Sequence, residues 1–189
     1  MDGQLRRRVN DWVAPMKTSI VPTANEVFFP DNELIVSKTD LKGRITYANK
    51  TFCSIARYEE AELLGQPHSI IRHPDMPRAV FKLLWDTLDD GREIFAYVKN
   101  MNKVGDYYWV FAHVTPSRDK HGKIIGYHSN RRSPRRDIVA DVITPLYASI
   151  LREEQAHRNG QEALVAGFNF VVDFLRSRST TYDELIFSL

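Results

Sequence analysis

The chain has 189 residues, of which 43% are hydrophobic and 26% are charged, and its formal net charge is +2. This composition is typical of a globular protein with a substantial core, and the small net charge does not point to nucleic acid as a partner. A single cysteine, Cys53, excludes an internal disulfide and fits a reducing compartment. No apolar run approaches the roughly 20 residues of a membrane helix, so we expect a cytoplasmic protein without a membrane segment.

The first third of the chain predicts two short strands followed by two short helices. Asn49 is the expected N-cap of the first helix, because its side-chain oxygen can accept a hydrogen bond from the first helical turn. Gly65 is expected to end the second helix. In chain order, the predicted elements are a weakly helical piece at 9–16, strands at 34–36 and 44–48, and helices at 51–57 and 59–64.

The segment from Arg72 to Pro77 is the most informative part of the sequence. Pro74 and Pro77 each fix their own φ and push the preceding residue out of the helical region. Arg72, His73 and Asp75 are thereby held at a loop-to-helix junction, where free backbone N–H groups favour an anion. We call this segment the elbow, and a rigid, partly cationic elbow suits a phosphorylated cofactor.

A longer helix follows the elbow. Phe81, Leu84, Trp85 and Leu88 recur at the spacing of a helix with one buried face. Asp75 is a candidate N-cap for it, and Gly91 is expected to end it. Trp85 is then a core aromatic residue, whether or not it also contacts a ligand.

The rest of the chain predicts an antiparallel meander followed by helices. Its predicted elements are strands at 93–101, 106–116 and 123–131, helical rods at 135–143 and 145–157 that bend at Thr144-Pro145, and an amphipathic helix carrying Leu164, Phe168, Val171 and Leu175. This order indicates an α+β fold whose sheet buries one face under helices. It also suggests three regions, at 1–32, 33–132 and 133–189.

Two polar residues lie on strand faces that otherwise suit a core. Asn100 alternates with Ile94, Ala96 and Val98, so its amide either bonds the turn at 102–105 or meets the polar edge of a planar ligand. His128 alternates with Gly126, which would leave room for a ring, and such a histidine is either structural or functional.

The sequence lacks the motifs of the common enzyme classes. It has no metal-ligand pair at helical spacing, no phosphate-binding loop of the Walker type and no nucleophile elbow, so we expect neither an enzyme nor a metal site. The basic cluster at 131–136 is not accompanied by a recognition helix or an aromatic platform, and we therefore expect no nucleic-acid partner.

A set of short segments between about Leu34 and Arg132 carries a family resemblance. They are Ile45–Asn49, Glu62–His68, Ile71–Pro77, Val98–Asn100, Gly105–Val110 and Gly122–Ile124, together with Phe52, Phe81, Trp85, Gly126 and Tyr127. In these segments the chain resembles a PAS domain, specifically the FAD-binding PAS domain of bacterial aerotaxis receptors of the Aer type. The segment Pro145–Tyr147 is similar to that family as well.

The resemblance implies a five-stranded antiparallel sheet with its helices on one face around a cleft for FAD. It implies that the elbow residues Arg72, His73 and Asp75 are needed for FAD binding, that Trp85 faces the ring, and that Asn49 and Asn100 supply polar contacts, Asn100 at the pyrimidine edge. His128 would lie where light-sensing relatives carry a glutamine near the reactive ring nitrogen. Ile94 replaces an early strand Trp of the aerotaxis pattern, and Cys53 lies on a different helix from the light-sensor cysteine.

The resemblance predicts a redox or oxygen sensor that binds FAD non-covalently and passes the redox state to its flanking helices or to a signalling partner. The alternatives are a cofactor-free PAS module for dimerisation or scaffolding, and a haem gas sensor with His73 or His128 as axial ligand. We also predict a homodimer that pairs through helices at 1–32 and 133–189, because their apolar stripes exceed what one small core can cover.

Overall fold

The computed structural model describes residues 20–189, so the helical piece predicted at 9–16 lies outside the described residues. The strands are β1 (Ile35–Thr39), β2 (Ile45–Ala48), β3 (Ile94–Met101), β4 (Tyr107–Arg118) and β5 (Ile124–Arg132). The helices are α1 (Lys50–Ala56), α2 (Glu60–Leu63), α3 (Arg78–Asp89), α4 (Arg136–Ile138), α5 (Thr144–Gln155), α6 (Gly160–Ser177) and α7 (Tyr182–Ser188). A 3₁₀ turn covers His68–Ile71, and a π-helical turn covers Val139–Ile143.

The five strands form one antiparallel sheet in the order β2-β1-β5-β4-β3. This confirms the predicted α+β class and the five-stranded sheet. On β3, Ile94, Ala96, Val98 and Asn100 are all buried on the face that α1 to α3 cover, which we call the inner face. The alternation of this strand was therefore predicted correctly.

On strand β5, the residues that point to the inner face are not the ones that the sequence predicted. Directly opposed residues of an antiparallel pair point to the same face of a sheet, and Arg131 is the partner of the inward-facing Ala112. Arg131 and Tyr127 are accordingly buried on the inner face. His128 and Asn130 belong to the other face, where Nε2 of His128 lies 3.1 Å from Oδ1 of Asn130.

Gly126 has a different role from the predicted one. A Cβ at this position would lie 2.2 Å from the backbone oxygen of Thr39, so the glycine allows β1 and β5 to approach closely. It therefore serves strand pairing and does not make room for a ligand ring.

The predicted N-cap is correct for α1 and wrong for α3. Asn49 caps α1 as predicted, with its Oδ1 accepting from Phe52 N at 3.0 Å. Asp75, in contrast, does not cap α3, whose N-cap residue is Pro77. The carboxylate of Glu154 on α5 accepts the first backbone N–H groups of α3 instead, at 3.0 Å from Arg78 N and 2.8 Å from Ala79 N. The anion at this helix start is therefore the protein's own.

Contrary to the sequence prediction, Thr144 is not the N-cap of a separate helix. Ile143 and Thr144 both have right-handed helical φ and ψ, so the chain stays helical from α4 through α5. Thr144 N donates to Val139 O, an i→i−5 bond of the π-helical turn that precedes the proline. This turn accommodates the backbone bond that Pro145 cannot donate. Helix α6 is confirmed, and it packs against α3 and α5.

The C-terminal helices wrap around the edge strand β3. Tyr147 on α5 donates to Tyr97 O at 2.6 Å, and Tyr182 on α7 donates to Phe95 O at 2.9 Å, so outward carbonyls of the edge are paired. Part of the apolar surface that motivated a homodimer is thus buried within one chain, and homodimerisation stays a prediction. No helix within residues 20–189 is long and apolar enough to cross a membrane.

Candidate functional site

A cavity lies between the inner face of the sheet, α3 and the 3₁₀ turn. Its empty volume is about 660 Å³, a figure that includes the open space at its mouth. The walls are mainly apolar and include Phe81, Leu84, Trp85, Leu88, Val98 and Val114. Arg72 and Arg131 also line it, and among the described residues no carboxylate does. The cavity therefore suits a largely apolar ligand that carries acceptor atoms or negative charge.

Helix α3 places Trp85 over the sheet. The Trp85 side chain is 4% exposed and packs edge-on against Tyr127 of β5, with ring centroids 5.2 Å apart. Both residues line the cavity. An indole ring held between a helix and the sheet gives the cavity a fixed aromatic wall.

The elbow pairs with the edge strand β3. Arg72 forms a backbone bridge to Asn100, and His73 N donates to Lys99 O at 3.4 Å. The Arg72 guanidinium reaches back over the Phe81 ring at 4.6 Å and donates to Met76 O at 2.8 Å. Arg72 thus lines the cavity, held there by its backbone bridge to Asn100 and its bond to Met76 O, and its contact with a ligand stays a prediction.

The other two polar residues of the elbow point elsewhere. His73 is buried beside Tyr107, and its Nδ1 accepts from Asp75 N at 3.0 Å. Burial and the nearby Lys99 ammonium lower the pKa of His73 to about 4, so the ring is neutral at neutral pH. Asp75 is exposed and binds Lys99 Nζ at 2.7 Å. Neither side chain lines the cavity.

One end of the cavity holds a buried polar group centred on Arg131. Its Nη2 lies 2.5 Å from Ser37 Oγ, which in turn lies 3.1 Å from Nε2 of His68. The guanidinium stacks over the Phe52 ring at 4.5 Å. Burial and the adjacent guanidinium lower the pKa of His68 to about 3, and burial lowers the pKa of Arg131 to about 10. The histidine is therefore neutral and the arginine charged at neutral pH.

Asn100 brings an amide to the inner face. The residue is 4% exposed, and its Nδ2 makes no hydrogen bond within residues 20–189. The Tyr108 hydroxyl lies beside this amide without the distance and angle of a hydrogen bond, and burial raises the pKa of the phenol. Buried donors without acceptors are rare in folded proteins, so this end of the cavity fits a ligand that supplies acceptors.

The structure brings together four of the seven predicted site residues. Arg72, Trp85, Asn100 and His128 line the cavity, although His128 belongs by register to the other sheet face. Asn49, His73 and Asp75 lie outside the lining. The Asn49 side chain is occupied by Val36 N, Leu34 O and the α1 cap, at 2.7–3.0 Å.

Sequence reasoning missed Ser37, His68, Tyr127 and Arg131, which also line the cavity. The sequence signal that could have found Tyr127 and Arg131 is the alternation of β5, with the odd-numbered residues assigned to the inner face in place of the even-numbered ones. Ile94, at the position of the absent Trp, is buried in the core and is not part of the lining. No group of three or more metal-ligating side chains occurs among residues 20–189.

This geometry agrees with a known family. The protein-family model described as "PAS fold" matches residues 45–131. These residues are a PAS domain. Two solved light-oxygen-voltage domains share the fold. One of them was studied with a flavin analogue and is 18% identical, with a TM-score of 0.52. The match covers 61% of this chain and 87% of that domain's chain. The other, from Aureochrome1 in its light state, is 21% identical with a TM-score of 0.51 and covers 61% and 91%.

Curated relatives extend the similarity beyond the PAS core. The chain is 45% identical over 121 residues to the aerotaxis receptor of Escherichia coli (strain K12), a match that covers 64% of this chain and 23% of the receptor. It is 30% identical over 97 residues to the nitrogen fixation regulatory protein of Klebsiella pneumoniae, covering 51% of this chain and 20% of that protein. The similarity to the aerotaxis receptor confirms the resemblance of this PAS domain, and the matched stretch spans under a quarter of that receptor.

Proposed function

We propose that the PAS domain binds FAD non-covalently in the cavity and acts as a cytoplasmic redox or oxygen sensor. The observation that carries the proposal is the cavity, which combines the Trp85 wall with two lining arginines and an Asn100 amide nitrogen that makes no hydrogen bond within residues 20–189. A flavin has a matching planar ring, an acceptor-rich edge and phosphates. The similarity to the aerotaxis receptor and the fold shared with light-oxygen-voltage domains support this ligand class.

In this proposal each part of the site has its own task. Trp85 packs against the ring, the Asn100 amide donates to the ring edge, and Arg72 at the elbow binds a phosphate. When bound, a flavin supplies an electron acceptor whose charge and protonation change on reduction. Only contacts that differ between the two forms can shift the protein between states.

Strand β3 connects the site to the C-terminal helices. Asn100 lies on its inner face, while Tyr97 O and Phe95 O at its free edge accept from Tyr147 and Tyr182. In this proposal a shift of β3 is passed to α5 and α7 through these two hydrogen bonds. We accordingly propose residues 33–132 as the sensor unit and 133–189 as the output or dimerisation unit of a homodimer, with 1–32 as an N-terminal extension.

The purified full-length chain is expected to be yellow. The cavity and the aerotaxis similarity motivate this prediction, and an absorption spectrum with released-cofactor analysis checks it. A Soret band would instead establish the haem alternative. A colourless preparation that also fails to take up added FAD would overturn the proposal in favour of a scaffold module.

Arg72→Ala is expected to weaken FAD binding about tenfold to a hundredfold while the fold survives. The reason is the loss of a charge-assisted hydrogen bond to phosphate, which contributes roughly 1.5–3 kcal/mol. Asp75→Ala is expected to act in the same direction, because Asp75 anchors the elbow to β3 through Lys99. FAD titration and a thermal melt of each variant measure the two effects. Unchanged affinity in both variants would mean that the elbow has only a structural role.

A further inference from the structure

Arg131 is a buried cation that has no acidic partner in the part of the chain that the structure describes. Its side chain is 2% exposed, and Nε and Nη1 make no hydrogen bond within residues 20–189. Only Nη2 has a hydrogen-bond partner among these residues, the neutral hydroxyl of Ser37. A charge held this way is costly, because burial removes its hydration without supplying a compensating charge.

The groups around Arg131 do not supply that charge. His68 is neutral, since its pKa lies near 3. The Tyr108 phenol stays protonated, because burial raises its pKa. No aspartate or glutamate of residues 20–189 lines the cavity. Within residues 20–189 no group thus completes Arg131, and its free donors are available to a ligand in the cavity that it lines.

The position of Arg131 indicates which part of a ligand it meets. The Arg131 guanidinium acts electrostatically on the Tyr108 hydroxyl, and the Asn100 amide lies beside the same hydroxyl. Arg131 and Asn100 both line the cavity, and Asn100 lies directly opposite Tyr108 in the register of β3 and β4. Arg72, by contrast, belongs to the elbow, and its backbone pairs with Asn100 of the edge strand β3.

We propose that Arg131 is a ligand-binding residue that, together with Asn100, recognises an acceptor-rich edge of a planar heterocycle. This inference rests on the proposed function, in which the heterocycle is the flavin ring and Arg72 binds the phosphates. Arg131 and Arg72 therefore recognise different parts of one ligand: Arg131 selects the ring edge, and Arg72 selects the phosphorylated chain.

Two matched variants test this division on the full-length chain stripped of bound flavin. Arg131→Met and Arg72→Met each remove one guanidinium and keep a long apolar side chain. Lumiflavin, which has the ring system without the phosphorylated chain, and FAD are titrated by fluorescence quenching. Arg131→Met is expected to weaken both ligands by a similar factor, about tenfold to a hundredfold. Arg72→Met is expected to weaken FAD by that factor and leave lumiflavin within about threefold.

Other results of these titrations would overturn the inference. An Arg131→Met variant that loses FAD affinity but retains lumiflavin affinity would place Arg131 at a phosphate. A variant that binds both ligands as the wild type does would make Arg131 a purely structural residue. Arg131→Lys, which retains the charge, is expected to recover part of the lost affinity for both ligands.

A ligand-free melt keeps the inference testable if the wild type binds no flavin, which by itself would overturn the proposed function. If Arg131 is a ligand-binding residue, Arg131→Met removes an uncompensated buried charge. The melting temperature of the ligand-free variant is then expected to equal or exceed that of the ligand-free wild type. If the Ser37 bond and the Phe52 contact make Arg131 a structural residue, the variant melts several degrees lower, and the inference fails. Ser37→Ala serves as the control for loss of that bond alone.

Discussion

Replacing Trp85 with alanine is expected to lower the free energy of unfolding by about 3–5 kcal/mol and to abolish FAD binding. The indole is 4% exposed between α3 and β5, so its removal leaves a void that the Tyr127 ring cannot fill. The same void removes the aromatic wall of the cavity. Chemical denaturation and FAD titration at a temperature where the variant remains folded measure the two losses.

Trp109→Ala is the matched control for this prediction. Trp109 is also buried, at 8% exposure, but it packs on the outer face of the sheet against Tyr147. Its removal is expected to cost stability without changing FAD affinity beyond about threefold. Trp85→Phe, which keeps an aromatic ring, is expected to fall between wild type and Trp85→Ala in both measurements. If Trp85→Ala and Trp109→Ala lose the same affinity, Trp85 has no specific role in the cavity.

The sequence predicted the parts of the fold that depend on local patterns. Strand β3 alternates between small or aliphatic inner residues and larger outer ones, so its inner face was recognisable without the structure. Asn49 satisfies a backbone N–H three residues away, and such a contact can be predicted from chain order alone. The elbow was likewise recognisable, because proline restricts the backbone whatever surrounds it.

Strand β5 could not be predicted in the same way. Both of its faces mix polar with apolar residues, and the inner one carries Tyr127, Ser129 and Arg131. A hydrophobic pattern sets the register only where one face is clearly apolar. Charged residues are rarely buried, so a prediction that assigns apolar residues to the buried face of a strand places an arginine on the exposed face. The residue with the strongest unmet hydrogen-bonding demand in the cavity was therefore missed.

Long-range contacts explain the remaining differences. Glu154 caps α3 from 75 residues further along the chain, and no local rule links it to Ala79. Once Glu154 occupies the start of α3, Asp75 has no helix to cap, and its carboxylate pairs with Lys99. The helix start that suggested an anion site from the sequence is thus used to attach the C-terminal helices to the elbow.

Acid is expected to destabilise the protein through His68 between pH 6.5 and pH 3. The pKa of this histidine falls from 6.5 to about 3 on folding, because of burial and then the charge of Arg131. Between these values the unfolded chain binds one more proton than the folded protein. The stabilisation is therefore fully present above pH 6.5, and it is lost as pH falls, by about 1.4 kcal/mol per pH unit.

Urea denaturation of wild type and His68→Gln at pH 7, 6 and 5 isolates this contribution, because the neutral amide does not titrate and can still bond Ser37 Oγ. Between pH 6 and pH 5 the wild type is expected to lose about 1.2 kcal/mol more than the variant, slightly less than the full slope because the unfolded histidine is still partly neutral at pH 6. His73 also has a lowered pKa, with the same sign, but it is present in both proteins and cancels in the comparison. Parallel curves for wild type and His68→Gln would show that His68 does not titrate differently in the folded protein, and the buried, uncompensated charge next to it would then be in question as well.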